Sequence, residues 1–308
     1  MKNNAIVTSV YGIRVTQGAP TLEGFSWLYK TWKAWRKKGR GKNTNNWDLI
    51  CTFDSHNKEW IPLWKTQFPE VIFLEVEPTS NWALYSESRH VAPWQDSKFL
   101  EVISNYATIF KTDFNTIALR NLFAIENLQD VMVSNGGWKL YAGKDNIGIV
   151  STKLANVAAD LEQPYWGFAG AGDSILANAP AMIRIMKLAA MLTQLVGIKY
   201  QDEQLPGWHG NFQHLFALDL AINATCTFAN VRQGGFELRP IDSNKIASYD
   251  YAIKPWNMHE AGFNIKQYFE DASEYRKRWE DLSGRLTNPI EDTEYLGNYA
   301  ISVVFSEL

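Results

Sequence analysis

Three polar side chains, Lys111, Asp113 and Asn115, follow the apolar run Ala107–Phe110 at intervals of two. On a strand that interval puts all three on one side. A carboxylate and an amide oxygen so placed can grip one hard cation, and that cation can hold a pyrophosphate. An Asp-x-Asp/Asn pattern arises by chance about once or twice in a chain of this length at average composition. A second instance, Asp242-Ser243-Asn244, has no apolar strand ahead of it. Placement, more than pattern, selects the first.

Other residues able to do chemistry lie further along. Asp219 shares a face with Phe212, Leu215 and Phe216 on a helix predicted over Asn211–Asn223. An acid among apolar neighbours costs free energy unless it is paired, hydrogen-bonded or functional. An apolar setting raises its pKa towards neutrality, which suits a group that takes a proton from a hydroxyl. The structural alternative is an acid that binds backbone or an Arg inside the core. Asp202 and Glu203, in a polar loop, and Asp173 are the other acids that can serve as a base. Trp208 and His209, inside Gly207–Gly210, offer an aromatic face and an imidazole to a docked molecule. His259 stands in the loop KPWNMHE, where a lone histidine is more often structural or surface than a ligand. The glycine-rich stretch Gly167–Asp173 is either a plain strand-to-helix connection or a phosphate cradle. It lacks the spacing of dinucleotide and P-loop fingerprints.

The elements that must position these groups begin with Ala5–Val10, a short β-branched run that predicts a buried parallel strand and ends at Tyr11. Thr21 caps a helix carrying Leu22, Phe25, Leu28, Tyr29, Trp32 and Trp35 at helical spacing. Trp47–Phe53 is a second strand, closed by Asp54; Lys58–Phe68 is a helix and Val71–Val76 a third strand. This alternation argues for an α/β fold, a mostly parallel twisted sheet with helices on both faces. Such sheets bind ligands at the C-terminal ends of their strands. Tyr11, Asp54 and Asp113 fall at such ends. Residues 79–95 read as a loop, Asp96–Ser104 as a helix and Asn121–Val133 as a strand-helix segment. Asn178 and Pro180 open a buried helix over Ala181–Val196. Cys226–Gln233 reads as a strand, Ile265–Leu282 as an amphipathic helix, and residues 295–308 as a tail containing a strand. No repeat or low-complexity linker divides the chain, so one domain is expected over 1–308, with halves 1–120 and 121–308.

Bulk properties narrow the class. The 308 residues are 46% apolar and 20% charged, with net charge −3. Lys30, Lys33, Arg36, Lys37, Lys38, Arg40 and Lys42 form a run of seven positives; without it the remainder stands at −10 (−3 minus 7). The run suits a solvated face, an anionic membrane surface, or nucleic acid, with Trp32 and Trp35 interleaved for base stacking. Cys51 and Cys226 sit in apolar runs, which suits buried thiols rather than a disulfide framework. No uninterrupted apolar stretch is long enough for a membrane span. A cytoplasmic protein without a span is the expectation.

The strands AIVTSVYG, CTFDS and IFKTDFN, with the late WNMHE, resemble those of the GT-A glycosyltransferases. The resemblance implies a metal-assisted hexosyltransferase that moves a sugar from a nucleotide diphosphate sugar, a UDP-sugar first among them, to a hydroxyl acceptor. It implies Mn²⁺ or Mg²⁺ held by Asp113, Asn115 and His259. Thr8, Tyr11, Asp54, Lys111 and Asp113 would lie along the nucleotide-sugar. Asp219, Asp202 and Glu203 would supply the base of an inverting reaction, and Trp208, His209 and Asp173 the acceptor side. The acceptor is a glycan or, as in some viral enzymes, a hydroxymethylated base in DNA. Asn115 departs from the family's acidic pair: its amide oxygen ligates but brings no charge. That leaves room for a mechanism in which Lys111 neutralises the diphosphate. A sugar nucleotidyltransferase is a second class, although Tyr11-Gly12-Ile13-Arg14 matches its glycine-rich loop poorly. A non-catalytic carbohydrate-binding protein is a third.

Overall fold

The computed structural model describes residues 3–10, 23–36, 46–77, 87–125, 128–135, 138–200, 205–233, 252–253, 273–284, 290 and 296–306. Along the chain these form β1 (Asn4–Val10), α1 (Glu23–Trp35), β2 (Trp47–Phe53), α2 (Ile61–Gln67), β3 (Ile72–Glu75), α3 (Ser97–Ile103), β4 (Thr108–Lys111) and β5 (Ile117–Ala118). Then come β6 (Val131–Asn135), α4 (Lys139–Ala142), α5 (Ile147–Asp160), β7 (Ala171–Asn178), α6 (Ala179–Tyr200), α7 (Gln213–Thr225) and β8 (Val231–Gln233). The last elements are β9 (Ala252–Ile253), α8 (Ser273–Ser283) and α9 (Leu296–Phe305).

Seven strands make one sheet in the order β3-β2-β1-β4-β7-β6-β8. The pairs among β1–β4 are parallel, as is β6 with β8; β7 runs antiparallel to both its neighbours. The fold is therefore α/β, with a mostly parallel sheet between helical layers. Residues alternate between two cores, as period-two strands buried on both sides must. Ala5, Val7, Ile50, Ile109, Val133, Ile175 and Ala177 face the layer of α3, α5, α6 and α7. Ile6, Val10, Leu49, Cys51, Phe110 and Leu176 face α1 and α2. Both cysteines are buried free thiols.

Several boundaries match the local chemistry. The Asp96 side chain accepts from Phe99 N at 2.8 Å and starts α3. Asn178 does the same for α6, accepting from Ala181 N at 2.9 Å. Other readings give way. The glycine-rich stretch leads into the strand β7, not directly into a helix. Residues 87–95 form a 3-10 turn, and the strand expected from Cys226 shortens to Val231–Gln233. The tail is a helix: Tyr299, Ile301, Val303 and Val304 pack with Trp27 and Tyr275 in a third cluster. Tertiary burial there overrides β-branched propensity. Helix α6 is not covered all round, because Arg184, Lys187, Met191 and Leu195 form an exposed stripe. Among the described residues it is the one helix long and apolar enough to cross a membrane, and 56% of that span is buried within the protein.

The basic run is partly absorbed by the fold. Lys30 Nζ donates to Val304 O near the end of α9 at 3.1 Å, and burial pushes its pKa down to about 8. Arg36 donates to both Glu70 carboxylate oxygens at 2.5 Å and lies over the Trp32 ring. Trp32 is 1% exposed, with its indole N–H on Trp47 O, so it is core and offers no face to a base. Lys37, Lys38, Arg40, Lys42 and Thr21 lie outside the described residues.

Candidate active site

The polar residues converge where β4 ends. Lys111 is its last residue and pairs with Ile175 of β7. One residue beyond the strand the two chains are still side by side, which brings Asp113 and Asp173 to the same end of the sheet. At that step Thr112 and Ser174 share a hydroxyl hydrogen bond of 2.8 Å, as the register requires. Lys111 shares the sheet face of Ile109, and Asp173 that of Ile175, so both look towards the α6–α7 layer. The Lys111 ammonium donates to Asp173 O at 2.7 Å. Asp113 is partly exposed. It is not on the strand proper, since the chain turns at Phe114–Asn115, so the expected single-faced row of Lys111, Asp113 and Asn115 is broken.

Two histidines join the cluster that sequence reading did not find. His214, in the first turn of α7, places Nε2 3.4 Å from Asp173 Oδ1. His90, in the 3-10 turn Glu87–Gln95, lies within electrostatic reach of Asp113, Lys111, His214 and Asp173. Burial pushes its pKa down to about 4, with Asp113 the leading opposing influence, so the imidazole is neutral at pH 7. No local spacing signals either residue. Only the stacking of α7 and the 87–95 turn on one sheet face brings them beside β4.

Asp219 has a different setting. It is fully buried. Its Oδ2 accepts from Trp138 Nε1 at 2.6 Å and Gly170 N at 2.7 Å, and its Oδ1 from Ala171 N at 2.8 Å. Burial pushes its pKa up to about 7, against those donors. One turn on, Asn223 Oδ1 accepts from Trp166 N and Phe168 N. The glycine-rich stretch is thus an anion cradle filled by the protein's own carboxylate. Gly170 is needed there: its φ is +85°, and a Cβ would meet the Lys139 side chain at 2.5 Å. Asp219 fixes the start of the strand that carries Asp173. This is the structural alternative weighed for it.

The remaining expectations divide. Thr8 is buried on the α1 side with Ile6 and Val10, across the sheet from Lys111 and Asp173; Ser9, bonded to Thr52 at 2.7 Å, is the neighbour on the cluster's side. Asp54 is buried and organises the turn after β2, accepting from Asn57 Nδ2 at 3.0 Å. Trp208 is 5% exposed and stacks on Phe216, with centroids 4.1 Å apart. Its face is already covered, so it cannot dock an acceptor as expected. His209 is exposed and touches the Phe212 ring. Tyr11, Asp202, Glu203, His259 and Asp242–Asn244 lie outside the described residues.

A divalent ion, as the resemblance implies, needs several donors. Asn115 Oδ1 is buried with no hydrogen-bond partner among the described residues, an acceptor such an ion would satisfy. Yet among the described residues no three His, Cys, Asp or Glu side chains converge on a point that could hold a metal. The described residues by themselves therefore do not make up a metal centre.

No family model matches the chain, and no curated protein matches it. Solved structures with a similar course of chain include core-mannan synthase A from Aspergillus fumigatus in a Mn/GDP form. It is 9% identical with a TM-score of 0.44, over 76% of this chain and 73% of that one. Another is the apo form of the bifunctional glycosyltransferase WbbM, 12% identical with a TM-score of 0.42, over 88% of this chain and 52% of that one. Both likenesses are too loose for either enzyme's chemistry to be read across.

Proposed function

We propose that the chain transfers a sugar from a nucleotide diphosphate sugar to a hydroxyl acceptor. The observation that carries this reading is the cluster of Lys111, Asp113 and Asp173 where β4 ends, with Lys111 Nζ on Asp173 O and His90 within electrostatic reach of all three, at the C-terminal end of the parallel strands. Open α/β sheets take ligands at that end. Transfer requires a carboxylate to receive the acceptor proton and a positive group to meet the departing diphosphate. Of the acids considered, Asp219 has its oxygens committed to Trp138, Gly170 and Ala171. Asp173, with 26% of its side chain exposed, is the described acid able to meet an acceptor. In this reading Asp113 orients the donor, and Lys111, buried with its ammonium on Asp173 O, offsets the diphosphate charge through the field of the site rather than by direct contact.

The test is a panel of UDP- and GDP-sugars, with Mn²⁺ and with chelator, followed by sugar release and by thermal shift. Turnover or a stabilising shift with one donor class supports the reading. Neither response with any donor contradicts it. Retention of activity in chelator assigns the charge role to Lys111; its loss assigns that role to a metal.

A further inference from the structure

We propose that His214 is a positioning residue for that reaction, holding the Asp173 carboxylate in the orientation that receives the acceptor proton. The inference rests on the transferase reading above. Two observations carry it. His214 Nε2 lies 3.4 Å from Asp173 Oδ1. Its other nitrogen, Nδ1, is buried without a hydrogen-bond partner among the described residues, on a side chain 8% exposed. A buried ring nitrogen left unpaired is costly, so packing alone would favour an apolar ring here. The imidazole is retained for what Nε2 does.

The geometry also assigns the two partners different work. The imidazole is enclosed, whereas Asp173 retains exposure, so the carboxylate meets the substrate and the histidine stands behind it. An Nε2–H donating to Oδ1 fixes the carboxylate's rotation and so the direction from which it meets the incoming hydroxyl. Lys111 fixes the same residue from its backbone, through Asp173 O. Hydroxyl, carboxylate and sugar then balance as follows. The acceptor oxygen forms the new bond to the anomeric carbon. Its proton passes to Asp173, and the bond from that carbon to the diphosphate breaks with the electron pair leaving on the diphosphate. His214 neither gains nor loses a proton.

The experiment compares wild type, His214→Gln and His214→Phe at saturating donor. Glutamine keeps an N–H donor near the Nε2 position; phenylalanine keeps the ring volume without it. The expected result is a kcat about 10–100-fold lower for His214→Phe, donor KM unchanged, and recovery to within about threefold of wild type for His214→Gln. Full-length proteins with unchanged thermal midpoints, measured alongside, establish that each variant is folded. In wild type, nitrogen NMR of the imidazole should show the Nε2–H tautomer, and Asp173→Asn should perturb it. An active wild type with an indifferent His214→Phe, or with His214→Gln as slow as His214→Phe, overturns the role of His214 alone. A wild type inactive on every donor overturns the transferase reading and this role with it.

Discussion

Asp219 shows how one residue type supports two readings that only coordinates separate. An acid on an apolar helical face is unusual, and its sequence setting correctly marks a raised pKa. What the sequence does not contain is the trio of N–H donors from Trp138, Gly170 and Ala171 that holds the carboxylate in the core and partly offsets the upward push of burial. Those groups lie 48 to 81 positions away in the chain. The pH consequence follows from the folded value of about 7 against an ordinary 3.8. Between these values the folded protein holds a proton that the unfolded chain has released. Stability contributed by this group is therefore present below about pH 4 and lost as pH rises to about 7. Asp219→Asn should flatten that slope, and should cost about 2–4 kcal/mol because its amide N–H₂ meets donors where the carboxylate accepted. Denaturant midpoints of both proteins across pH 4–8 check the two effects.

At the scale of elements, α7 works as a rod laid against the segment 166–173. His214, Asp219 and Asn223 along its length grip, in turn, Asp173, the 170–171 amides and the 166–168 amides. Trp208, just before that helix, contributes packing by stacking on Phe216. Trp208→Ala should therefore cost about 3–5 kcal/mol of stability, as truncation of a buried Trp does. A role in docking would instead raise acceptor KM at unchanged stability; urea denaturation decides. The other support lies under the Asp113 turn. A Cβ on Gly24 would come within 2.8 Å of Asn115 Cβ and 3.1 Å of its Cα. Gly24→Ala should displace that turn, costing about 1–3 kcal/mol and weakening donor binding more than Ala substitutions on the exposed side of α1.

The same elements show what the sequence could carry. Strands β1, β2 and β4 were legible because β-branched runs buried on both sides leave unbroken apolar stretches. The antiparallel β7 was not, since AGDSILAN mixes Gly, Asp and Asn into its pattern. Helix α9 was misread because Ile301, Val303 and Val304 favour strands until Trp27 and Tyr275 cover them. Lys111 and Asp113 were readable as a strand-end motif; His90 and His214 were not, having no neighbour in sequence that marks them.

For the whole molecule, the uneven charge decides what else can approach. The three described cations of the basic run are engaged by Val304 O, the Tyr29 ring and Glu70. Trp32 is sealed in the core. Trp32 offers no stacking face, so any affinity of this run for nucleic acid rests on phosphate contacts alone. Neutralising Lys37 and Lys38 should then reduce the slope of log affinity against log salt by about 1.4 on single-stranded DNA. A fluorescence titration with single-stranded DNA over 50–200 mM salt reads this directly. An unchanged slope assigns that run to a solvated face.

Site and sheet meet in Asp113, the partly exposed carboxylate where β4 gives way to its turn. The deciding measurement is sugar release from the preferred nucleotide sugar by wild type and by Asp113→Ala, with thermal midpoints taken on the same samples. The expected result is a loss of at least about 100-fold in kcat/KM, with the midpoint within a few degrees of wild type. Equal turnover by the two folded proteins would place the chemistry elsewhere on the chain.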